Sequence, residues 1–137
     1  MTTRREARRL ALDVLYQADV TGIDGRSVIA GWESAGRAVP PYTREIVDGV
    51  ASRLPELDRA IGTHAEGWSV ERMASVDRTI LRLATFELTA GRVPVGAAID
   101  EAVRAAKELS TQDSGRFVNG ILGRIAEALG RPAREPG

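Results

Sequence analysis

Apolar residues recur at steps of three and four along most of this chain, the spacing that places them on one face of an α-helix. The clearest case is the first stretch, TTRREARRLALDVLYQADVTG, at residues 2–22. Thr3 and Glu6 match the capping box that starts a helix, and Gly22 is a suitable end. We therefore predict a first helix between Thr3 and Gly22.

The same periodicity predicts further helices, while no run of alternating β-branched residues predicts a strand. The fold class is therefore all-α, a compact bundle of about seven helices. Ser69 and Ser75 are expected as N-caps, and Leu109 and Leu129 as inward residues of the last two helices. The further elements are expected at residues 26–35, 43–65, 69–73 (a short turn), 76–89, 95–109 and 114–129.

Pro55 lies inside the predicted helix over residues 43–65, where proline removes a backbone hydrogen bond and kinks the axis. Ile46, Leu57 and Ile61 nevertheless keep one apolar phase across it. We therefore expect one bent helix at this place rather than two separate ones.

The length of 137 residues suits one domain with one core. We expect that domain over residues 1–130 and a disordered tail at 131–137. The absence of cysteine excludes disulfides and thiolate metal sites. No apolar run approaches the roughly 20 residues of a membrane span, and no secretory signal is visible. We therefore expect a cytoplasmic protein that does not associate with membranes.

The formal net charge is zero, which argues against a protein that coats nucleic acid by bulk charge. All but one of the 19 basic residues are arginine, and Lys107 is the exception. A compositional bias of the source organism is the simpler explanation of this excess. Arginine is nevertheless better suited than lysine to pair with phosphate and to stack on a base.

Little in the sequence supports catalysis. His64 is the only histidine, so neither a histidine-rich metal site nor a Ser-His-Asp triad has a convincing basis. No GxGxxG or Walker loop is present, and Asp48, Glu87 and Glu101 are scattered at the spacing of helix surfaces. We expect no enzyme, no metal and no cofactor.

Two segments remain that suggest binding. The first is the arginine-rich start of the first helix, where positions 5, 8, 9, 12 and 16 share a side and Tyr16 extends the arginine face. Arginines beside an aromatic ring are the ingredients of single-stranded RNA binding, through phosphate pairing and base stacking. A solvated, fraying N-terminus explains this stretch equally well, and a membrane-surface helix explains it less well.

The second segment is DSGRFVNGIL, residues 113–122, where polar and small residues interrupt an apolar helix. A helical glycine costs about 1 kcal/mol relative to alanine, so Gly120 needs a reason. Either another helix packs closely against Gly120, or Arg116 and Asn119 hold an RNA backbone or base there. Asp113 either caps this helix or accepts a hydrogen bond from a base.

Four stretches stand in a familiar order over residues 4–129: RREARRLALDVLYQ, VDRTILRLATFEL, VPVGAAIDEAVRAAKELS and DSGRFVNGILGRI. Together they resemble the NusB family of transcription antitermination factors. The resemblance implies two small helical subdomains packed across each other. It also implies binding to the boxA segment of ribosomal RNA transcripts, jointly with a small-subunit ribosomal protein that acts as NusE. Both would belong to an antitermination complex on RNA polymerase with other Nus factors.

The resemblance also assigns site residues. RNA binding falls on Arg4, Arg5, Arg8, Arg9, Tyr16, Asp113, Ser114, Arg116, Phe117 and Asn119. Binding of the ribosomal partner falls on Asp77, Ile80 and Leu81. We expect the two RNA-binding segments to converge as one cradle for an unpaired transcript. Asp13 departs from the family, in which glutamine is frequent, and lowers the positive potential near Tyr16.

Two other functions stay open from the sequence. One is a helical protein-binding adaptor whose arginines have no role in RNA binding. The other is a stand-alone relative of the NusB-like domains that occur fused to ribosomal RNA methyltransferases. Self-association as a homodimer, which would cover part of the partner surface, is a third open point.

Overall fold

The computed structural model describes residues 2–131, and over that range the chain forms seven α-helices, one 3-10 turn and no strand. This confirms the all-α class and the helix number. The helices are α1 (Arg4–Thr21), α2 (Gly25–Ser34), α3 (Pro41–Ser52), α4 (Leu54–His64), α5 (Ser75–Ala90), α6 (Val95–Leu109) and α7 (Gln112–Ala128). The 3-10 turn, Val70–Arg72, lies between α4 and α5. Among these helices, none has the length and apolar character needed to cross a membrane.

The chain divides after Leu54 into two compact units. In the first unit α1 packs on α2 and α3, and α2 packs on α3. Val14, Ile46 and Val47 form its buried centre. A Cβ atom at Gly25 would lie 2.9 Å from Cγ1 of Val47, so this glycine lets α2 begin close against α3.

In the second unit α5 packs on α6 and α7, which also pack on each other. Ten of the sixteen residues of α5 are buried, which makes α5 the central helix of this unit. A Cβ atom at Gly115 would lie 2.8 Å from Cγ of Lys107, so α7 approaches α6 closely where α7 begins. This close approach positions the first turn of α7, which is described below.

The first helix begins and ends as the sequence predicts. The Thr3 hydroxyl accepts a hydrogen bond from the Glu6 N–H at 3.0 Å, which satisfies one of the donors that a helix start leaves unpaired. Gly22 adopts the left-handed conformation (φ 76°), and its N–H donates to the Ala18 carbonyl. Both signals are local, and both are confirmed.

The prediction of one bent helix around Pro55 is wrong. α3 ends at Ser52, α4 begins at Leu54, and Arg53 between them has a non-helical φ of −119°. A continuous helix would leave the Ala51 carbonyl without an N–H donor and in conflict with the proline ring. In the first turn of α4 the same proline is harmless, because N–H groups there have no intrahelical acceptor.

Three smaller predictions also need correction. Ser75 is the first residue of α5, and its N-cap is Ala74, which provides no side-chain cap. Leu109 and Leu129 were expected inside but are 42% and 43% exposed. Both leucines lie where a helix ends, so the apolar stripe there extends beyond the core that would cover it.

The predicted tail begins with a residue that is held in place. The Arg131 N–H donates to the Ala126 carbonyl at 2.8 Å, and its guanidinium donates to the Leu88 carbonyl at 2.5 Å. Residues 132–137 lie outside the described residues, so the expected disorder stays a prediction there. The assignment of residues 1–130 to a single domain likewise stays a prediction.

Candidate nucleic-acid interface

The arginines at the start of α1 do not share one surface. Arg5 and Arg9 are exposed, whereas Arg8 is only 9% exposed, and Leu12 one turn later is buried as well. Positions 8 and 12 lie nearer the middle of the apolar stripe than positions 5, 9 and 16. The arginine face predicted from the sequence therefore narrows to an exposed stripe of Arg5, Arg9 and Tyr16, which we call the α1 stripe.

Burial changes the expected role of Arg8. A buried guanidinium must be paired inside the protein, because desolvating an isolated charge is very costly. Arg5, Arg8 and Arg9 all take part in interactions within the protein. An RNA phosphate would therefore compete with existing contacts at Arg5 and Arg9, while the Arg8 side chain is largely closed to it.

Arg4 has an aromatic partner that the sequence did not indicate. Its guanidinium carbon lies 4.8 Å from the centre of the Tyr42 ring, a cation–π contact between the start of α1 and the start of α3. Both residues line a surface hollow of about 550 Å³. An exposed contact of this kind contributes about 0.5–1 kcal/mol, which a phosphate can offset.

The first turn of α7 is capped by Thr111, whose hydroxyl accepts from the Ser114 N–H at 3.0 Å. Capping by Asp113, one of the two sequence interpretations, is therefore wrong. Asp113 instead accepts a hydrogen bond from Arg116 at 2.6 Å, and the two side chains are 86% and 83% exposed. Such an exposed ion pair is weak, so Arg116 stays accessible to an anionic ligand.

Ser114 is buried and faces the core of its unit. Its hydroxyl donates to Oδ2 of Asp77 at 3.2 Å and also meets the hydroxyls of Ser110 and Thr111 at 2.9 and 3.1 Å. Ser114 was assigned to RNA and Asp77 to the protein partner, yet the two residues contact each other. A direct RNA contact through the Ser114 hydroxyl does not fit this geometry; the hydroxyl joins α7 to α5.

Gly120 has no side chain, and the space that this leaves beside α7 is occupied by Arg124 of the same helix. A Cβ atom at Gly120 would lie 3.3 Å from Nη1 of Arg124, and the nearest atoms all belong to that residue. Arg124 in turn donates two hydrogen bonds to the His64 carbonyl, at 3.0 and 2.7 Å. Gly120 therefore gives the Arg124 guanidinium room to tie α7 to the end of α4, which was neither of the interpretations drawn from the sequence.

The remaining assigned residues of α7 lie at the surface. Asn119 is exposed, and Phe117 is partly exposed, with its ring against that of Trp68. The exposed Arg116 and Asn119, the partly exposed Phe117 and the Arg116 partner Asp113 form what we call the α7 surface. Among the residues of the second unit that were assigned to RNA, those of the α7 surface are accessible to a ligand, whereas Ser114 is buried.

The residues assigned to the ribosomal partner are not at the surface. Asp77, Ile80 and Leu81 are 9%, 2% and 0% exposed, because α5 is the central helix of its unit. A direct contact with Ile80 or Leu81 therefore does not fit the structure. The assignment came from the family resemblance, whereas the regular apolar stripe of α5, to which Ile80 and Leu81 belong, serves the core.

The sequence model of the NusB family matches residues 5–127. The chain belongs to the NusB family. It is 47% identical over 129 residues to the transcription antitermination protein NusB of Pseudarthrobacter chlorophenolicus, covering 93% of this chain and 95% of that protein. Among solved structures, T. maritima NusB superposes with a TM-score of 0.83 at 35% identity, covering 93% of each chain.

A second solved structure resembles the chain and contains other molecules. It is a crystal structure of the antitermination factors NusB and NusE in complex with dsRNA. The TM-score is 0.80 at 28% identity, and the match covers 91% of this chain and 96% of that chain. The family resemblance drawn from the four stretches is thereby confirmed.

Sequence reasoning missed Trp68 and Arg124 altogether. Trp68 follows Gly67 in a stretch without helical periodicity, so no pattern placed it beside α7. Arg124 is one arginine among many, and only the fold shows that it reaches the His64 carbonyl. His64 itself, with Nδ1 2.9 Å from the Ala60 carbonyl, is an ordinary partly buried histidine. No group of three or more side chains able to hold a metal gathers within residues 2–131.

Proposed function

We propose that this chain is a cytoplasmic transcription antitermination factor without catalytic activity. It binds the boxA segment of ribosomal RNA transcripts jointly with the ribosomal protein NusE, as part of the complex that other Nus factors form on RNA polymerase. The observation that carries this proposal is the match, over nearly the whole chain, to a NusB that was solved with NusE in complex with dsRNA. Membership of the NusB family supports it independently.

Exposure supports a smaller set of residues, which we propose for direct RNA contact. They are the α1 stripe in the first unit and the α7 surface in the second. In the α1 stripe Arg5 and Arg9 pair with phosphates, while Tyr16, 43% exposed, offers a ring to a base. On the α7 surface Arg116 supplies charge and Asn119 supplies amide donors and acceptors. Arg8 and Ser114 support these surfaces from inside.

The partner site is proposed differently from the sequence assignment. Asp77 acts through Ser114 on the first turn of α7, and Ile80 and Leu81 act as core residues that hold α5 in place. Neighbouring polar side chains of α5 are also engaged: Arg82 forms two 2.8 Å hydrogen bonds with Asp58. NusE therefore meets exposed residues of the chain rather than the buried Ile80 and Leu81.

The first test removes charge from the α1 stripe. We expect Arg5→Gln/Arg9→Gln to weaken binding to boxA RNA, because two phosphate contacts are lost. The plot of log affinity against log salt concentration should become less steep by about 1.4, because each phosphate contact with a single strand contributes about 0.7 to its steepness. Binding is measured by fluorescence anisotropy with labelled boxA RNA over a range of salt concentrations.

The matched control is Arg104→Gln, which removes an exposed arginine from α6. It should leave both the affinity and the slope unchanged. Two further RNAs serve as controls, and both should bind more weakly than single-stranded boxA. A scrambled RNA tests the sequence preference, and a double-stranded boxA RNA tests stacking, because a base can stack on a side chain only where it is unpaired. Equal retention of boxA and scrambled RNA by the wild-type protein, both with and without NusE, would favour the adaptor alternative and refute the proposal.

A further inference from the structure

We propose that Trp68 is a base-stacking residue, and that it forms a binding site for unpaired nucleobases with the neighbouring Phe117. The inference rests on the proposed RNA-binding function and extends it to the loop between α4 and the 3-10 turn. Neither Trp68 nor this loop belongs to the segments assigned from the resemblance.

The first observation is exposure. Trp68 is 56% exposed, more than any other large hydrophobic residue in the described part of the chain. A single exposed apolar side chain is normal on a protein surface and carries no meaning alone. The surroundings of the ring therefore decide the argument.

The second observation is the contact with the α7 surface. The Trp68 and Phe117 ring centres are 5.9 Å apart with an angle of 72° between the planes. This is the edge-to-face arrangement that aromatic pairs prefer, and it fixes both rings relative to each other. Because only one part of the indole meets Phe117, much of its surface stays open beside a helix proposed to bind RNA.

The third observation is that the loop carrying Trp68 is held in place. Left-handed backbone at Glu66 (φ 40°) and Gly67 (φ 87°) reverses the chain after α4, and the Trp68 N–H donates to the Ala65 carbonyl at 3.2 Å. Arg124 of α7 donates a hydrogen bond to the His64 carbonyl, where the same loop begins. Its Nε also lies 3.7 Å from Oε1 of Glu66. A ring that is ordered before binding loses little entropy when a ligand arrives.

The chemistry of the surrounding hollow favours a base over a phosphate. Trp68 lines a hollow of about 510 Å³ together with Gly67, Ser69, Glu71 and Arg72. One carboxylate and one guanidinium leave it without net charge, so it offers no particular attraction to a phosphate. What it does offer is a flat indole, and every nucleobase has a face that stacks on such a ring.

The central test compares Trp68→Leu with Trp68→Phe. We expect Trp68→Leu to weaken boxA RNA binding roughly 5- to 150-fold, the range for removing one base–aromatic stack. Trp68→Phe keeps a ring and should restore most of the affinity. The control is Trp32→Leu, which removes the other tryptophan. The Trp32 side chain is partly buried, and the centre of its ring lies 3.7 Å from the guanidinium carbon of Arg37. It should leave RNA affinity unchanged.

Two readouts separate stacking from a general loss of structure. The salt slope should stay at the wild-type value in Trp68→Leu, because stacking releases no counterions, in contrast to the arginine variants. In a series of boxA RNAs, each lacking the base at a different single position, one RNA should bind the wild-type protein more weakly than intact boxA does. The same RNA should bind Trp68→Leu as well as intact boxA does, because the stack is already lost in that variant. In Trp32→Phe, where Trp68 is the only tryptophan, RNA should quench the remaining emission.

Three results would overturn the inference, and they differ from one another. Wild-type affinity in Trp68→Leu means that the ring does not touch RNA. Loss of NusE binding by Trp68→Leu in the absence of RNA, with direct RNA binding intact, means that the ring meets a protein. If the wild-type protein itself does not prefer boxA over scrambled RNA, with or without NusE, the proposed function fails and this inference fails with it.

Discussion

At the scale of single residues, Asp24 shows how one side chain starts a helix here. Its Oδ1 accepts from the backbone N–H of Arg26 at 2.8 Å, and both of its oxygens accept from the Arg26 guanidinium. Hydrogen bonds from the Arg26 side chain, and then from its backbone N–H, lower the pKa of Asp24 to about 2. The charged form is therefore the one that caps α2.

This lowered pKa predicts a dependence of stability on pH. A carboxyl whose pKa falls on folding stabilises the protein above its unfolded pKa of about 4, and that contribution is lost as the pH drops towards about 2. Asp24→Asn keeps a capping oxygen but cannot ionise, so it is the reference. We expect the difference in free energy of unfolding between wild type and Asp24→Asn to shrink between pH 4 and pH 2. Urea unfolding followed by circular dichroism measures it, and a difference independent of pH would contradict the assignment.

Arg8 makes the opposite point at the same scale. Arg5 and Arg9, close to it in the sequence, are exposed, yet the Arg8 side chain is only 9% exposed. A substitution there tests stability first and RNA binding second. For this reason Arg5 and Arg9, rather than Arg8, are the informative positions for charge removal.

At the scale of elements, the contact between Ser114 and Asp77 joins the start of α7 to the start of α5. Asp77 accepts from Ser114 through Oδ2, while its buried Oδ1 has no hydrogen-bond partner within the described structure. Removing the Ser114 hydroxyl would therefore leave a buried carboxylate with still fewer partners. Leaving a buried polar group unpaired costs more than the hydrogen bond itself contributes.

We therefore expect Ser114→Ala to lower the free energy of unfolding by about 1–3 kcal/mol. In a double-mutant cycle, Asp77→Ala/Ser114→Ala should cost less than the sum of the single changes, by at least about 0.5 kcal/mol. Ser52→Ala is the matched control, because its hydroxyl bonds the Asp48 carbonyl at an exposed site. Additive effects in chemical denaturation would show that the two residues do not act together.

At the scale of the whole molecule, the net charge of zero limits what electrostatics can contribute to RNA binding. Arg8 is buried, and Arg4, although exposed, lies over the Tyr42 ring, so the α1 stripe contains two arginines rather than the four expected from the sequence. Affinity for RNA must then come largely from local contacts and from a second protein on the same strand.

This predicts that NusE strengthens RNA binding markedly. Once one protein holds the RNA, the second binds at a high effective concentration, which raises overall affinity without any new contact to this chain. The measurement is a titration of labelled boxA RNA with the wild-type protein at fixed salt, with and without saturating NusE. NusE alone at the same concentration is the control. Equal affinity in the presence and absence of NusE would refute joint binding.

The sequence by itself determined the helices and most of their ends. The Thr3 cap, the Gly22 end and the bounds of α6 follow from contacts within a few residues, so a local pattern contains them. The prediction around Pro55 failed for a physical reason. The apolar periodicity continues across Pro55, but proline lacks the N–H that a continuous helix needs there, so α3 ends at Ser52 and α4 begins at Leu54.

Only the tertiary structure decided which of the predicted site residues face outward. Arg8, Ser114, Ile80 and Leu81 are buried because of what packs around them, and periodicity does not distinguish a core stripe from a binding stripe. Gly120 serves an arginine that reaches a carbonyl sixty positions away in the chain. Trp68 has no sequence signal, since its place beside Phe117 depends on how the loop after α4 returns to α7. Exposure and proximity are properties of the folded chain, and the residue order alone does not contain them.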